Sequence, residues 1–579
     1  MTSEPEAIGV VLGSRESSPL EFWVGIQEGG ELRLDDLVVV ASPSAFGEIR
    51  FYGVVDQVNK LLEGTQYDSD TFLASEHLIP TNRAYVAHIS VTRVDPEHYL
   101  PPEPGAAVFL AQGESLDRAL YFDQMKERLP VGLLQNGAPA WLNLKFLDGR
   151  AGGHVNISGI SGVAAKTSYA SFLLYSIFKS GVVKDSASTR ALIFNVKGED
   201  LLFLDKNNAE MSTAHPEAAQ EYQTLGLRPG PFTSVEFTAP PVTTGALAPA
   251  VDSRRVGVQP YHWDLAQFAN EGLLPFLFAD RGAMTNLGFL IDQVTSQLAR
   301  VGANQKGPGL KVEDWNGGSL AGNDFASLGK TELKSFSDLV AYIEYKLLGA
   351  EDDPAQESKG DPRWMARQQT GTLLAFCRRL RSAAAAAAHL IRGDQIGHPP
   401  DPLGGNSQVT VVDIHQLPAT AQMFVVGSLL KKVFSAKESG RAGRVYVVLD
   451  ELNKYAPRDD EGPIKDLLLD IAERGRSLGV ILIGAEQTAS EVERRVVANA
   501  AIRVVGRLDA GEADHPSYRY LPPVLQRRSL LLAPGSVIIQ QPELPTPLVI
   551  NFPFPAWATN AREAVEDNSP ATLKQEFDL

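Results

Sequence analysis

Tyr446-Val447-Val448-Leu449-Asp450-Glu451-Leu452-Asn453 runs from a short apolar segment straight into two adjacent carboxylates. The apolar part predicts a strand covered on both faces, because a doubly covered parallel strand shows a continuous apolar run instead of alternation. Carboxylates at the carboxyl end of such a strand are costly to desolvate unless a cation shares the place. Magnesium with a nucleotide is a cation of that kind, since a hard divalent ion takes oxygen ligands.

Far upstream, His154–Ile160 reads as a second strand, followed by Ser161-Gly162-Val163-Ala164-Ala165-Lys166-Thr167-Ser168 and a helical stretch to Lys179. Strand, small-residue loop, Lys-Thr and helix is the layout of a phosphate-binding loop, whose backbone N–H groups and helix dipole face the anion. In that reading Gly162, Ala165, Lys166, Thr167 and Ser168 bind the nucleotide: Lys166 reaches the β- and γ-phosphates and Thr167 ligates Mg2+. The loop departs from the usual pattern. Gly159 is followed by five residues where four are usual, and Ala165 stands where a second glycine is expected. The plainer alternative is a helix that begins Ala-Lys-Thr. The acid pair favours the first reading, because two independent elements appear in the order an ATP site requires. Asp450 is then a magnesium-binding residue acting through water, and Glu451 orients and deprotonates the attacking water.

Three further segments lie at predicted element ends. The strand Val480–Ala485 emerges into Glu486-Gln487-Thr488, where Gln487 either touches the γ-phosphate or caps a turn. Just before it, Arg474 and Arg476 sit at a helix end. They either complement the helix dipole or insert into a neighbouring copy's ATP site. Asn195-Val196-Lys197-Gly198-Glu199-Asp200 follows the strand Arg190–Asn195, with Lys197 and Glu199 as site-edge candidates or members of a solvated turn.

The chain has 579 residues, too many for one core, so two or three domains are expected. Its 44% hydrophobic and 21% charged content is that of a globular protein. One cysteine, Cys377, excludes a disulfide framework and suits a reducing cytoplasm. No run is long and apolar enough for a bilayer, so a cytoplasmic protein without a membrane is expected. The net charge of −17 argues against an outer surface that binds nucleic acid, and says little about an enclosed basic channel.

Residues 1–115 read as an N-terminal β-barrel with strands near Ile8–Leu12, Phe22–Ile26, Leu37–Ala41, Ile49–Val58, Tyr85–Val94 and Ala106–Ala111. Residues 116–260 and 400–557 read as an α/β ATPase core. Its further strands are Gln408–Ile414 and Ile502–Arg507, with helices at Ala419–Ser439 and Ile464–Arg476. Residues 261–399 carry no strand signal and read as a helical insertion, with helices near Leu287–Val301, Leu333–Leu348 and Arg363–Ile391 and a Gly/Asn-rich loop at Gly302–Asn323. Residues 558–579 form a polar C-terminal tail.

These residues resemble the HerA-type hexameric DNA translocases of the HerA/FtsK branch. The similarity is carried by the barrel, by Leu129-Pro130-Val131-Gly132-Leu133, by "NVKGED" at 195–200, by "VVLDELNKYAP" at 447–457, by "ERGRSLGVILIGAEQT" at 473–488 and by "PGSVII" at 534–539. The resemblance implies a RecA/FtsK-like P-loop fold and a bacterial homo-hexamer. It also implies ATP and Mg2+ as ligands, and double-stranded DNA driven through a central channel. A NurA-type nuclease typically docks on such rings for end resection in recombinational repair. Related rings serve a nuclease or an NAD-consuming partner in antiphage defence, so a scaffold ATPase is the alternative. Lys166, Thr167, Asp450, Glu451 and Gln487 carry over, with Arg474 and Arg476 as residues acting on a neighbour. Lys306, Lys311, Lys454 and Arg458 are either duplex contacts or solvated loop cations.

Overall fold

Runs of Val, Ile, Leu and Phe that are apolar on both faces must be covered on both faces, and this requirement organises the molecule. The computed structural model describes residues 6–45, 47–65, 67–160, 166–243, 247–254, 256–279, 284–312, 331–349 and 360–565. Twelve strands form one sheet. Its parallel part has the order Val258–Pro260, Val235–Ala239, Val409–Asp413, Thr189–Asn195, Arg444–Leu449, Val480–Glu486, Val155–Ser158, Ile502–Val505. Ser536–Gln540, Leu548–Asn551, Arg128–Leu134 and Pro139–Asn143 extend it in antiparallel fashion. Alternate residues of one strand feed two cores. Val445, Val447 and Leu449 pack with helix Ala419–Glu438 and the insertion. Tyr446 and Val448 pack with helix Lys166–Lys179 on the other face.

The α/β class and the small barrel preceding it are as expected. All six anticipated barrel strands are present, as Gly9–Val11, Glu21–Ile26, Leu37–Ser44, Gly47–Glu63, Asn82–Asp95 and Ala107–Leu110, closed around Phe22, Val38, Phe51, Ile89 and Val108. Closure leaves no free sheet edge. The six strands expected in the α/β part are also found, with bounds shifted by one or two residues. The sequence reading missed Val235–Ala239, Val258–Pro260 and the four antiparallel strands, which are short or interrupted by Pro and Gly.

Three local expectations are corrected. The insertion contains helices Leu265–Asn270, Met284–Gly302, Phe336–Leu348 and Thr370–Ala387, and also two short ribbons. Trp263–Asp264 pairs with Ile391–Arg392, and Leu310–Val312 with Thr331–Leu333. Strands of two or three residues are too short to show a period. The stretch Arg363–Ile391 breaks at Ala366 and Arg367, both left-handed at φ 51° and 57°. Ile464–Arg476 is not one uniform helix: Pro463–Asp470 passes into a π-helical turn, Ile471–Gly475, before Arg476–Leu478. Glycine suits the end of that turn, because a Cβ on Gly475 would lie 2.8 Å from the Val480 carbonyl oxygen.

Part of the Gly/Asn-rich stretch, residues 313–323, lies outside the described residues, as do residues 566–579. The first part of the expected tail is tied down. Ala558 N–H donates to Lys206 O and Val565 N–H to Asn207 O.

The insertion locks onto the core through Phe276, which covers Gly427 in the middle of helix Ala419–Glu438. A Cβ at Gly427 would sit 2.2 Å from the Phe276 ring. Gly427→Ala is therefore expected to lower stability by about 1–3 kcal/mol through overpacking, against a gain of up to about 1 kcal/mol in helix propensity. The urea midpoint of the variant measures it.

Candidate active site

Parallel strands bring all their carboxyl ends to one edge, and side chains from four loops meet there. Lys166 opens helix Lys166–Lys179 after the loop that follows Val155–Ser158. Gly162 and Ala165 belong to that loop and lie outside the described residues. Lys166 is 5% exposed, and its Nζ donates to Gly159 O at 2.8 Å. Burial lowers its pKa, and the nearby acids Asp450, Glu486 and Glu451 pull the other way. Such a desolvated ammonium with donors to spare suits an anion. Thr167 and Ser168 are half-buried in the same first turn.

Thr167 Oγ1 donates to Asp450 Oδ2 at 3.3 Å, joining positions 283 residues apart. Asp450 is buried, and its Oδ1 accepts the Glu451 N–H at 2.8 Å. Glu451 has φ 57° and ψ 46°, a left-handed conformation that costs a residue with a Cβ about 1–2 kcal/mol. The strand Arg444–Leu449 before it and the helix Leu452–Tyr455 behind it, pinned by buried Leu452 and Tyr455, hold that conformation. Strain of this kind gathers at working sites, where the surrounding packing over-determines it.

Lys197, from the 195–200 loop, bridges the pair, with Nζ 3.1 Å from Asp450 Oδ2 and 3.6 Å from Glu451 Oε1. Its loop is anchored by Asn195, which donates to Gly198 O at 2.8 Å and to buried Asp413 Oδ1 at 2.9 Å. Glu199 turns away from the acids and accepts from the backbone of Asp252 and Ser253.

The strand Val480–Glu486 lies between the acid strand and the loop strand. Gln487 follows it and is exposed, whereas Glu486 is fully buried among the groups around Lys166. Sequence reasoning did not single out Glu486. The available signal was an ionisable residue closing an otherwise apolar strand.

Arg474 and Arg476 are not brought to these acids. They precede the strand Val480–Glu486 and so lie at the opposite, amino edge of the sheet. Arg474 pairs with Glu438 and lies 3.9 Å from Asp470, while Arg476 donates to Ala151 O at 3.4 Å. Lys454 is half-buried and bonded to Gln422, and Arg458 reaches the Ser490 carbonyl at 3.5 Å.

The donor set fits magnesium. Hydroxyl and carboxylate oxygens from Thr167 and Asp450 are hard ligands, and Mg2+ binds through one or two carboxylates while keeping waters and phosphate oxygens. Among the described residues no group of three His, Cys, Asp or Glu side chains forms a complete metal cage. No described helix is long and apolar enough to cross a membrane.

No protein-family model matches the chain, and no curated protein matches it. Solved structures do resemble it at low identity. VirB4 of Thermoanaerobacter pseudethanolicus is 13% identical over 74% of this chain and 96% of its own, with a TM-score of 0.42. The bacterial conjugative coupling protein TrwBΔN70 is 13% identical over 77% of this chain and 94% of its own, with a TM-score of 0.45. The genome-packaging NTPase B204 of Sulfolobus turreted icosahedral virus 2 is 15% identical over 26% of this chain and 70% of its own, with a TM-score of 0.20. Likenesses at this level carry no conclusion about chemistry, which rests on the side chains at the sheet edge.

Proposed function

We propose that the chain is an ATP-hydrolysing motor that moves double-stranded DNA as a six-membered ring. The observation that carries the ATPase part is the meeting of Lys166, Thr167, Asp450 and a strained Glu451 at one sheet edge. Lys166 binds the β- and γ-phosphates. Thr167 and Asp450 would hold a magnesium ion, which would supply neutralisation of the phosphate charge. Glu451 takes the proton of a water whose oxygen attacks the γ-phosphorus, while the bond to the bridging oxygen breaks and leaves ADP and phosphate. Lys197 offsets the mutual repulsion of the two acids.

The ring is supported by the placement of Arg474 and Arg476. At the amino edge they stand away from the acids of their own chain, as residues acting on a neighbouring copy's nucleotide would. The DNA substrate is supported by the motif resemblance, as are the docking of a NurA-type nuclease and a role in end resection. A nucleotide-binding scaffold that organises a nuclease or NAD-consuming enzyme in antiphage defence is the rival. It has little use for a water-activating carboxylate held in a strained conformation.

The decisive test is the ATPase rate with and without duplex DNA, with the copy number read by native mass. The motor is expected to be hexameric and stimulated by any duplex sequence. The affinity for duplex should fall by orders of magnitude as salt rises from about 50 to about 200 mM, because phosphate contacts release counterions. A rate indifferent to DNA overturns the motor in favour of the scaffold.

A further inference from the structure

We propose that Glu486 is a positioning residue of the nucleotide site, whose carboxyl group accepts a hydrogen bond from Lys166 and holds that ammonium toward the phosphates of a nucleoside triphosphate. The inference rests on the nucleotide reading above.

Glu486 ends the strand that separates the acid strand from the loop strand, and its register partner is Ser158. Its exposure is 0%, and neither carboxyl oxygen has a hydrogen-bond partner. An unpaired buried carboxyl costs the fold about 1–3 kcal/mol or more, and the nearby Asn156 and Lys166 offset only part of it. A buried polar group left without a partner calls for an explanation, and a role toward a ligand is one. The backbone of Glu486 already belongs to the seat of Lys166: Gly159 N–H donates to Glu486 O at 3.2 Å, and Gly159 O accepts from Lys166 Nζ.

The other acids near Lys166 are engaged. Asp450 accepts from Thr167, Lys197 and the Glu451 N–H, and Glu451 faces Lys197. Glu486 is the acid left for Lys166. An ammonium has three donors. Gly159 O takes one, Glu486 a second, and the third remains for phosphate.

A third acid at an anion site would repel its ligand if it were charged. Burial removes this objection. It pushes the Glu486 carboxyl well above the usual range, Glu512 and Asp450 add to that push, and Asn156 and Lys166 offset only part of it. Buried Tyr518 and Tyr520 are near enough to feel the charge of this carboxyl. Burial thus favours the uncharged form of the group, which keeps a carbonyl acceptor.

The test uses the full chain, a fluorescent ATP analogue and thermal unfolding, with Glu486→Leu and Glu486→Gln. Leu removes an unpaired polar group, so its unfolding temperature is expected to equal or exceed that of the unaltered protein. Its affinity for the analogue should fall about tenfold, the worth of one hydrogen bond to a charged group. Gln keeps a carbonyl acceptor, and its affinity is expected to stay within about threefold of the unaltered protein. The proposal is overturned if Leu binds as tightly as Glu, if Gln binds as weakly as Leu, or if Leu lowers the unfolding temperature along with affinity. Failure of the unaltered protein to bind the analogue would instead remove the nucleotide reading itself.

Discussion

Glu451→Gln is expected to cut ATP turnover by about 10²–10⁴-fold, the range found when a general base is removed. Glutamine has the size and shape of glutamate, so the Leu452–Tyr455 helix behind it and the Asp450 Oδ1 bond to its N–H are retained. The amide cannot accept the proton of the attacking water. Binding is expected to be untouched, because in the proposed site Lys166 and Thr167 would hold the phosphates and metal from a different loop. Single-turnover rates and ATP affinity measured side by side separate the two effects. A variant that turns over at the unaltered rate, or that loses affinity in proportion to rate, removes Glu451 from the role assigned here.

The second large effect concerns acid stability and arises at the other end of the sheet. His154 precedes the loop strand, is 3% exposed and adopts φ 66°. Its Nδ1 accepts the Leu482 N–H at 2.9 Å, so that nitrogen must carry no proton. Burial is the main reason its pKa falls to about 4, and Arg476 lowers it further. The unfolded chain binds this proton near pH 6.5 and the folded chain only near 4. Stability from this group is therefore complete above pH 6.5 and is lost as pH falls toward 4. The loss amounts to about 2 kcal/mol by pH 5 and about 3 kcal/mol by pH 4. Urea midpoints at pH 7, 6 and 5 should fall more steeply in the unaltered protein than in His154→Asn, a residue that tolerates the left-handed conformation. Parallel curves for the two proteins would show that His154 is not the acid-sensitive group.

Much of the architecture was legible in the chain. Tyr446–Leu449 and Val480–Ala485 announced covered strands through unbroken apolar runs, and Ile49–Val58 and Tyr85–Val94 announced barrel strands by turn-bounded alternation. The paired elements at Lys166-Thr167 and Asp450-Glu451 were legible as candidates, and the fold brings them to one sheet edge. Other features gave no local sign. Leu310–Val312 and Thr331–Leu333 are too short for a period, and the π turn at Ile471–Gly475 keeps a helical apolar pattern while adding a residue to the turn.

Sequence alone determined the class of fold and the candidate acids and ammonium, because apolar runs and loop chemistry are local properties. Tertiary structure decided that Glu486, and not Gln487, is the side chain buried beside Lys166. In a strand buried on both faces the alternation of polar and apolar residues disappears, and with it any sign of which way a terminal residue points. Tertiary structure also decided that Arg474 and Arg476 stand at the amino edge, away from the acids of their own chain. The direction of a strand within a sheet depends on which neighbours it pairs with, and no local pattern records that choice.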